Sequence, residues 1–212
     1  MNNSTKLKKI MIAGASGMVG NAIKRAYLNS EKHNSQIYEI LSPSRNELNL
    51  LNFEDVKNWF KENNPDIVIL AAARVGGIFA NKNNPSDFIL DNLKIQTNLI
   101  EISNNFKVKK FLFLGSSCIY PKLASQPIAE QELLSGYLEI TNQYYAIAKI
   151  SGIKLCEALA IQEGFNSICL MPTNLYGPGD NYHELNSHVL PSLIRKFSEA
   201  KNKNINKVTC WG

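Results

Sequence analysis

The chain has 212 residues, of which 44% are hydrophobic and 19% charged, with a formal net charge of +5 at pH 7. This size and composition fit one domain, or one domain and the start of another, and exclude an intrinsically disordered chain. The mild charge is spread along the chain, so it does not indicate a nucleic-acid partner, although it is compatible with an anionic small molecule.

Short apolar runs alternate with amphipathic segments along the first 170 residues. The predicted strands are 9–13, 36–41, 66–72, 110–115 and 166–171. The predicted helices between them are 19–30, 53–62, 86–105 and 141–163. Apolar strands separated by helices are typical of a parallel sheet covered on both faces. The sequence therefore predicts a doubly wound, Rossmann-like α/β domain over residues 1–178.

The pattern changes after Pro172. A loop rich in glycine, proline and asparagine covers residues 174–180, and we expect a helix at 187–200 and a short strand at 207–211. We interpret residues 179–212 as the beginning of a smaller substrate lobe. No apolar run reaches the roughly 18 residues of a membrane span, and the N-terminus does not resemble a signal peptide. We therefore expect no membrane partner and a cytoplasmic protein.

A glycine-rich turn follows the first predicted strand. Gly14, Gly17 and Gly20 have the spacing that permits a tight turn, a close approach to a pyrophosphate and close packing of helix on sheet. The helix that begins there offers free N–H groups to phosphates. We expect a dinucleotide at this loop, which also contains Ala15, Ser16, Met18 and Val19.

The end of the second strand selects between the two nicotinamide cofactors. An acidic residue there binds the ribose hydroxyl groups, whereas an arginine pairs with a 2′-phosphate. Glu39 lies within the strand, and the following loop contains Arg45. The sequence therefore favours NADP(H) as the cofactor.

Tyr145 and Lys149 lie one helical turn apart and share a face, whereas Tyr144 points about 100° away. A free tyrosine has a pKa near 10 and is a poor acid–base group at neutral pH. We expect the nearby ammonium group and an oxidised nicotinamide to favour the phenolate. A serine hydroxyl that holds the substrate carbonyl would complete a site for hydride transfer.

The glycine loop and the Tyr145–Lys149 pair resemble the extended short-chain dehydrogenase/reductase superfamily. Within it, the chain is similar to the GDP-L-fucose synthase family, the GDP-4-keto-6-deoxy-D-mannose epimerase/reductases. The similar stretches are 14–20, 70–77, 111–121, 145–149, 171–178 and 186–189. The cysteine after the double serine and the histidine in the last predicted helix distinguish this family from generic sugar-nucleotide epimerases and dehydratases.

The resemblance implies a role for each matching residue. Ser116, Tyr145 and Lys149 would form the reductase triad, and Cys118 and His188 would be the epimerisation base and acid. Without the resemblance, Cys118 would be interpreted as a small buried hydrophobe. The cysteines form no CxxC pair, and His183 and His188 have no ligand partner at zinc-site spacing, so no metal is expected.

The resemblance also implies which residues contact the ligands. The cofactor contacts are Arg45, Leu48, Asn49, Leu50, Leu114, Gly115, Ser116, Ser117, Lys149, Pro172, Thr173, Asn174, Leu175 and His188, besides the glycine loop. Lys196 and Trp211 would face the GDP-sugar substrate. Helices 86–105 and 141–163 would pair across a two-fold axis in a homodimer.

Members of the family continue for roughly another hundred residues, so we expect the 212-residue chain to be a fragment or the product of a truncated gene. Two alternatives stay open. One is a related sugar-nucleotide epimerase or dehydratase that recycles tightly held NAD. The other is a non-catalytic NADPH-binding fragment.

Overall fold

Five parallel strands form a single sheet in the computed structural model, which describes residues 7–30, 38–184 and 186–210. The strands are β1 (Lys8–Ala13), β2 (Tyr38–Leu41), β3 (Ile67–Leu70), β4 (Lys110–Leu114) and β5 (Ser167–Leu170). Their order in the sheet is β2–β1–β3–β4–β5. The predicted doubly wound parallel sheet is confirmed.

The strand order reverses direction at β1. From this strand the chain passes to β2 on one side and then to β3 on the other, with Ile10 paired to Ile40 and to Ile67. In such sheets, ligands bind outside the carboxyl ends of the strands at the point of reversal. Gly14 follows β1 directly, so the glycine loop lies at that point.

Six helices accompany the sheet in the described residues. They are α1 (Met18–Ser30), α2 (Phe53–Asn63), α3 (Ile78–Asn83), α4 (Pro85–Asn105), α5 (Gln143–Glu163) and α6 (Val189–Asn202). Local signals set several of their ends. Asn52 caps α2 by accepting hydrogen bonds from the N–H groups of Glu54 and Asp55, and Gly164 ends α5 in the left-handed conformation.

The core lies on both faces of the sheet because successive residues of each strand point to opposite sides. Met11 and Ala13 of β1 pack on the face covered by α2, α4 and α5. Ile10 and Ile12 pack on the other face, against α1. The α4–α5 pair is fixed by Gln96, whose buried side chain donates a hydrogen bond to the Ala148 carbonyl. This bond joins α4 to the turn of α5 that carries Tyr145 and Lys149.

Two details differ from the sequence prediction. The prediction of a strand at 207–211 is wrong for residues 207–210, which pair with no strand of the described chain. Trp211 lies outside the described residues. The short helix α3 was not predicted. Within the described part of the chain, no helix has both the length and the apolar character needed to cross a bilayer.

Candidate active site

The glycine loop packs directly against the backbone that follows β3. Gly14 has a φ of +85°, and a Cβ added to it would lie 2.6 Å from the Ala72 nitrogen. The turn is closed by the Gly17 N–H, which donates to the Gly14 carbonyl at 3.0 Å. Because a side chain at position 14 would meet backbone atoms, only glycine fits there. The close approach leaves the first turn of α1 facing the carboxyl edge of the sheet.

A cavity of about 860 Å³ lies along this edge. Its walls include most of the residues predicted to bind the cofactor, namely 14, 16–20, 45, 48–50, 114–116, 149, 172–175 and 188. Ala15 and Ser117 do not line it. Ala15 is buried, and the Ser117 N–H donates to the Pro172 carbonyl at 3.1 Å, which joins the loops that follow β4 and β5.

Lys149 lies at the base of the cavity with only 3% of its surface exposed. Its ammonium group donates to the Leu114 carbonyl at 2.8 Å and lies 5.7 Å from the centre of the Tyr145 ring. Burial lowers the pKa of Lys149 to about 8, although the neighbouring Cys118 acts in the opposite direction. The buried ammonium is therefore held beside the phenol ring by a backbone carbonyl.

Tyr145 is also largely withdrawn from solvent, whereas Tyr144 is 42% exposed. Burial raises the pKa of Tyr145 above its ordinary value, the Cys118 charge raises it further, and a hydrogen bond from Ser116 lowers it. Burial is the largest of these effects, and the phenolate expected beside an oxidised nicotinamide stays a prediction. Tyr145 is consequently a protonated phenol at neutral pH, which is the form that donates a proton.

Cys118 lies in the 3₁₀ turn Ser117–Ile119 that follows β4, with its Sγ atom 3.0 Å from the Ser116 Oγ atom. Burial raises the pKa of this thiol, while the Ser116 hydrogen bond and the Lys149 charge lower it. Cys118 does not itself line the cavity, which Ser116 does. The structure thus brings four predicted catalytic residues, Ser116, Cys118, Tyr145 and Lys149, into one cluster.

The fifth, His188, reaches the cavity from a different part of the chain. It directly precedes α6, is exposed, and lines the cavity. Lys196 of α6 lies elsewhere. Its ammonium group donates to the Thr209 carbonyl at 2.9 Å, in a separate cavity of about 270 Å³. The substrate role of Lys196 stays a prediction, and Trp211 lies outside the described residues.

Several cavity residues were not assigned by the sequence analysis. The loop between β3 and α3 contributes residues 71–76, and α4 contributes Phe88, Asp91 and Ile95. The signal that could have found the loop is its place at the carboxyl end of β3, next to the strand that carries the glycine turn. Among the described residues, no group of three or more histidine, cysteine or acidic side chains could hold a metal ion.

Comparison with known proteins gives concordant matches. The family described as "NAD dependent epimerase/dehydratase family" matches residues 10–212. The chain is 52% identical over 209 residues to GDP-L-fucose synthase 1 of Arabidopsis thaliana, covering 99% of this chain and 63% of that protein.

Two solved structures have a similar fold. One is MlghC, a GDP-mannoheptose C4 reductase from Campylobacter jejuni with NADP bound, at 40% identity and a TM-score of 0.83 over 94% of this chain. The other is a GDP-L-fucose synthetase from Naegleria fowleri bound to NADP, at 30% identity and a TM-score of 0.84 over 93%. This chain covers 58% and 59% of those two chains. It therefore spans about three fifths of the length of the proteins it matches.

Proposed function

The chain belongs to the NAD dependent epimerase/dehydratase family, and we propose that the whole protein converts GDP-4-keto-6-deoxy-D-mannose to GDP-L-fucose. The reaction inverts C3 and C5 of the sugar and reduces C4 with NADPH. The observation that carries this proposal is the cluster in which Ser116 lies 3.0 Å from Cys118, at the base of a dinucleotide-sized cavity beside Tyr145 and Lys149. A reductase triad alone would not need the thiol.

We assign the cavity to NADP(H). Its glycine turn and the start of α1 suit a pyrophosphate, and Arg45 at its rim suits a 2′-phosphate. NADP is bound by the two similar structures described above. When bound, the cofactor supplies the hydride for C4.

The protein's own residues supply the proton for the reduction. Ser116 and Tyr145 both line the cavity and their side chains interact, so both hydroxyl groups can donate hydrogen bonds to the C4 oxygen. Because burial keeps Tyr145 protonated, it can transfer its proton to that oxygen as the alcohol forms. The Lys149 ammonium group lies 5.7 Å from the centre of the Tyr145 ring and can return a proton to the phenol.

The epimerisation uses the acidity of the hydrogens next to the C4 ketone. Cys118, once its thiol is deprotonated, removes a proton from C3 or C5, and His188 returns one to the opposite face. The two residues belong to different elements, the turn after β4 and the start of α6. This origin suits an acid and a base that approach the sugar ring from two sides.

For the whole protein we also propose a cytoplasmic homodimer in which α4 and α5 pair across a two-fold axis. Apolar side chains are exposed on these helices, including Leu90 on α4 and Ile147 on α5. Sedimentation of the whole protein tests this assembly, since a monomer at micromolar concentration would contradict it.

The function is tested by incubating the whole protein with NADPH and GDP-4-keto-6-deoxy-D-mannose. We expect one NADPH to be oxidised and released as NADP⁺ for each GDP-L-fucose formed. An epimerised product without net oxidation of the cofactor would instead support an epimerase that recycles it. NADPH binding by the whole protein without any turnover would support a non-catalytic role.

A further inference from the structure

A buried asparagine holds the loop of residues 71–77, here named the β3 loop. Asn92 of α4 is 2% exposed, and its side chain both accepts a hydrogen bond from the Arg74 backbone and donates one to it. Its Oδ1 accepts from the Arg74 N–H at 2.9 Å, and its Nδ2 donates to the Arg74 carbonyl at 3.0 Å. The same Nδ2 donates to the Phe88 carbonyl at 2.7 Å. A fully bonded buried amide of this kind fixes the backbone that it pairs with.

A second asparagine fixes the other end of the β3 loop. Asn81 of α3 is 7% exposed, and its Nδ2 donates to the carbonyls of Gly76 and Gly77 at 2.8 and 3.1 Å. Outside the loop backbone, Arg74 forms ion pairs with Asp87 and Asp91 at 2.9 and 2.8 Å. The loop is thus attached to α3 and α4 along its second half.

The β3 loop in turn contacts the segment that carries His188. The Gly77 N–H donates to the Asn186 carbonyl at 3.4 Å, and a Cβ on Gly77 would lie 2.9 Å from the Ser187 carbonyl oxygen. His188 is the next residue and directly precedes α6. The absence of a side chain at position 77 therefore allows the two backbones to touch just before His188.

We propose that Asn92 and Gly77 are positioning residues: they hold the β3 loop against residues 186–187 and so set where His188 lies in the cavity. The inference rests on the proposed function for its catalytic consequence, but not for the contact itself. Asn92 acts at one end of this connection and Gly77 at the other. Neither residue has to touch the sugar, since each acts through the β3 loop.

Gly77→Ala is the most selective probe. Gly77 has a φ of −66° and a ψ of −179°, which alanine adopts without strain. The three atoms nearest to the added methyl group all belong to the backbone of residues 186–187, so we expect the substitution to displace that segment. In the whole protein we expect inversion at C3 and C5 to fall about tenfold, while the NADPH dissociation constant changes less than about twofold.

Gly136→Ala serves as a matched control, since its added methyl group would lie 3.2 Å from Pro121 and far along the chain from His188. We expect inversion in this variant to equal that of the unmodified protein. A parallel loss of inversion and NADPH binding in Gly77→Ala would indicate general damage to the fold and overturn the positioning role.

The double variant Gly77→Ala/His188→Gln tests whether Gly77 acts through His188. Residues that act through one another give non-additive effects in such a cycle. We expect the double variant to be no slower in inversion than His188→Gln alone. A further tenfold loss in the double variant would mean that Gly77 acts by another route and would overturn the proposal.

The contact can be tested without any substrate. In the 212-residue chain, the His188 imidazole resonances can be assigned with His188→Gln, because the chain has three histidines. We expect Gly77→Ala and Asn92→Ala to shift these resonances and Gly136→Ala to leave them in place. Unshifted resonances in both variants would refute the inference even if the proposed reaction is confirmed, and a shift would support it even if that reaction is not.

Discussion

Gly14 and Gly179 have nearly the same positive φ angle but very different surroundings. Their φ angles are +85° and +86°. An added Cβ would lie 2.6 Å from backbone at Gly14, whereas no atom lies within 4 Å of one at Gly179. The first glycine lies in the turn after β1, against the backbone that follows β3, and the second lies in the open loop after β5. A similar φ angle therefore does not mean a similar steric constraint: a side chain would clash at Gly14 but not at Gly179.

The same contrast extends to the two regions that contain these glycines. Strands β1 and β3 are largely buried, and β4 buries Phe111 and Phe113 in the core. These strands support Gly14, Ser116 and, through Leu114, Lys149. Among the described residues of α6, only Pro191 and Ala200 are buried. The reducing residues are thus held by a core, whereas His188 depends on a few backbone contacts such as that of Gly77.

Gly14→Ala should have the largest effect. A left-handed alanine costs about 1–2 kcal/mol, and forcing its methyl group into the Ala72 backbone costs about 1–3 kcal/mol more. We expect the free energy of unfolding in urea to fall by about 2–5 kcal/mol, with loss of NADPH binding. Gly179→Ala, the matched control, should cost only about 1–2 kcal/mol. Equal losses in the two variants would contradict the contrast between the regions.

Removing the Tyr145 hydroxyl should nearly abolish reduction. In the whole protein we expect Tyr145→Phe to slow NADPH oxidation by about 10²–10⁴-fold, with the NADPH dissociation constant little changed. The exposed neighbour provides the control, because Tyr144→Phe should retain full activity. If Tyr144→Phe is the inactive variant, the helical-face argument for Tyr145 is wrong.

The parts of this account that could be predicted from the sequence depend on local signals. Apolar runs, the glycine spacing and the one-turn separation of Tyr145 and Lys149 are properties of short segments, and all appear in the structure. The burial that raises the pKa of Tyr145 is a tertiary effect and could not be predicted from the spacing. The strand expected at 207–211 is absent at residues 207–210, because a strand needs a neighbouring strand to pair with and the local sequence does not supply one.

Lys149 should make stability depend on pH. Its pKa is about 8 in the folded protein and near its ordinary value of 10.5 when unfolded. Between these pH values the unfolded chain binds more protons, so this lysine makes the folded state more stable as pH rises. From pH 7.5 to 9.5 the gain is about 2 kcal/mol. Urea unfolding of the unmodified chain and of Lys149→Met should differ by this rise, and parallel pH profiles would refute it.

Arg45 should have the smallest effect of the four, because it is an exposed residue at the cavity rim. We expect Arg45→Asp to weaken NADPH binding by at least about tenfold, with little effect on NADH. Arg25→Asp is the control, since Arg25 is bonded to Asn21 at 2.7 Å outside the cavity. Equal affinity of the unmodified protein for the two cofactors would remove Arg45 from this role.

The most direct test of the central claim, that one cavity uses separate residues for epimerisation and reduction, is solvent-deuterium exchange into the keto sugar with the whole protein. We predict that Cys118→Ser loses exchange at C3 and C5 and still oxidises NADPH with reduction at C4, whereas the unmodified protein does both. Full exchange at C3 and C5 in Cys118→Ser would contradict the account and make Cys118 a structural residue beside Ser116.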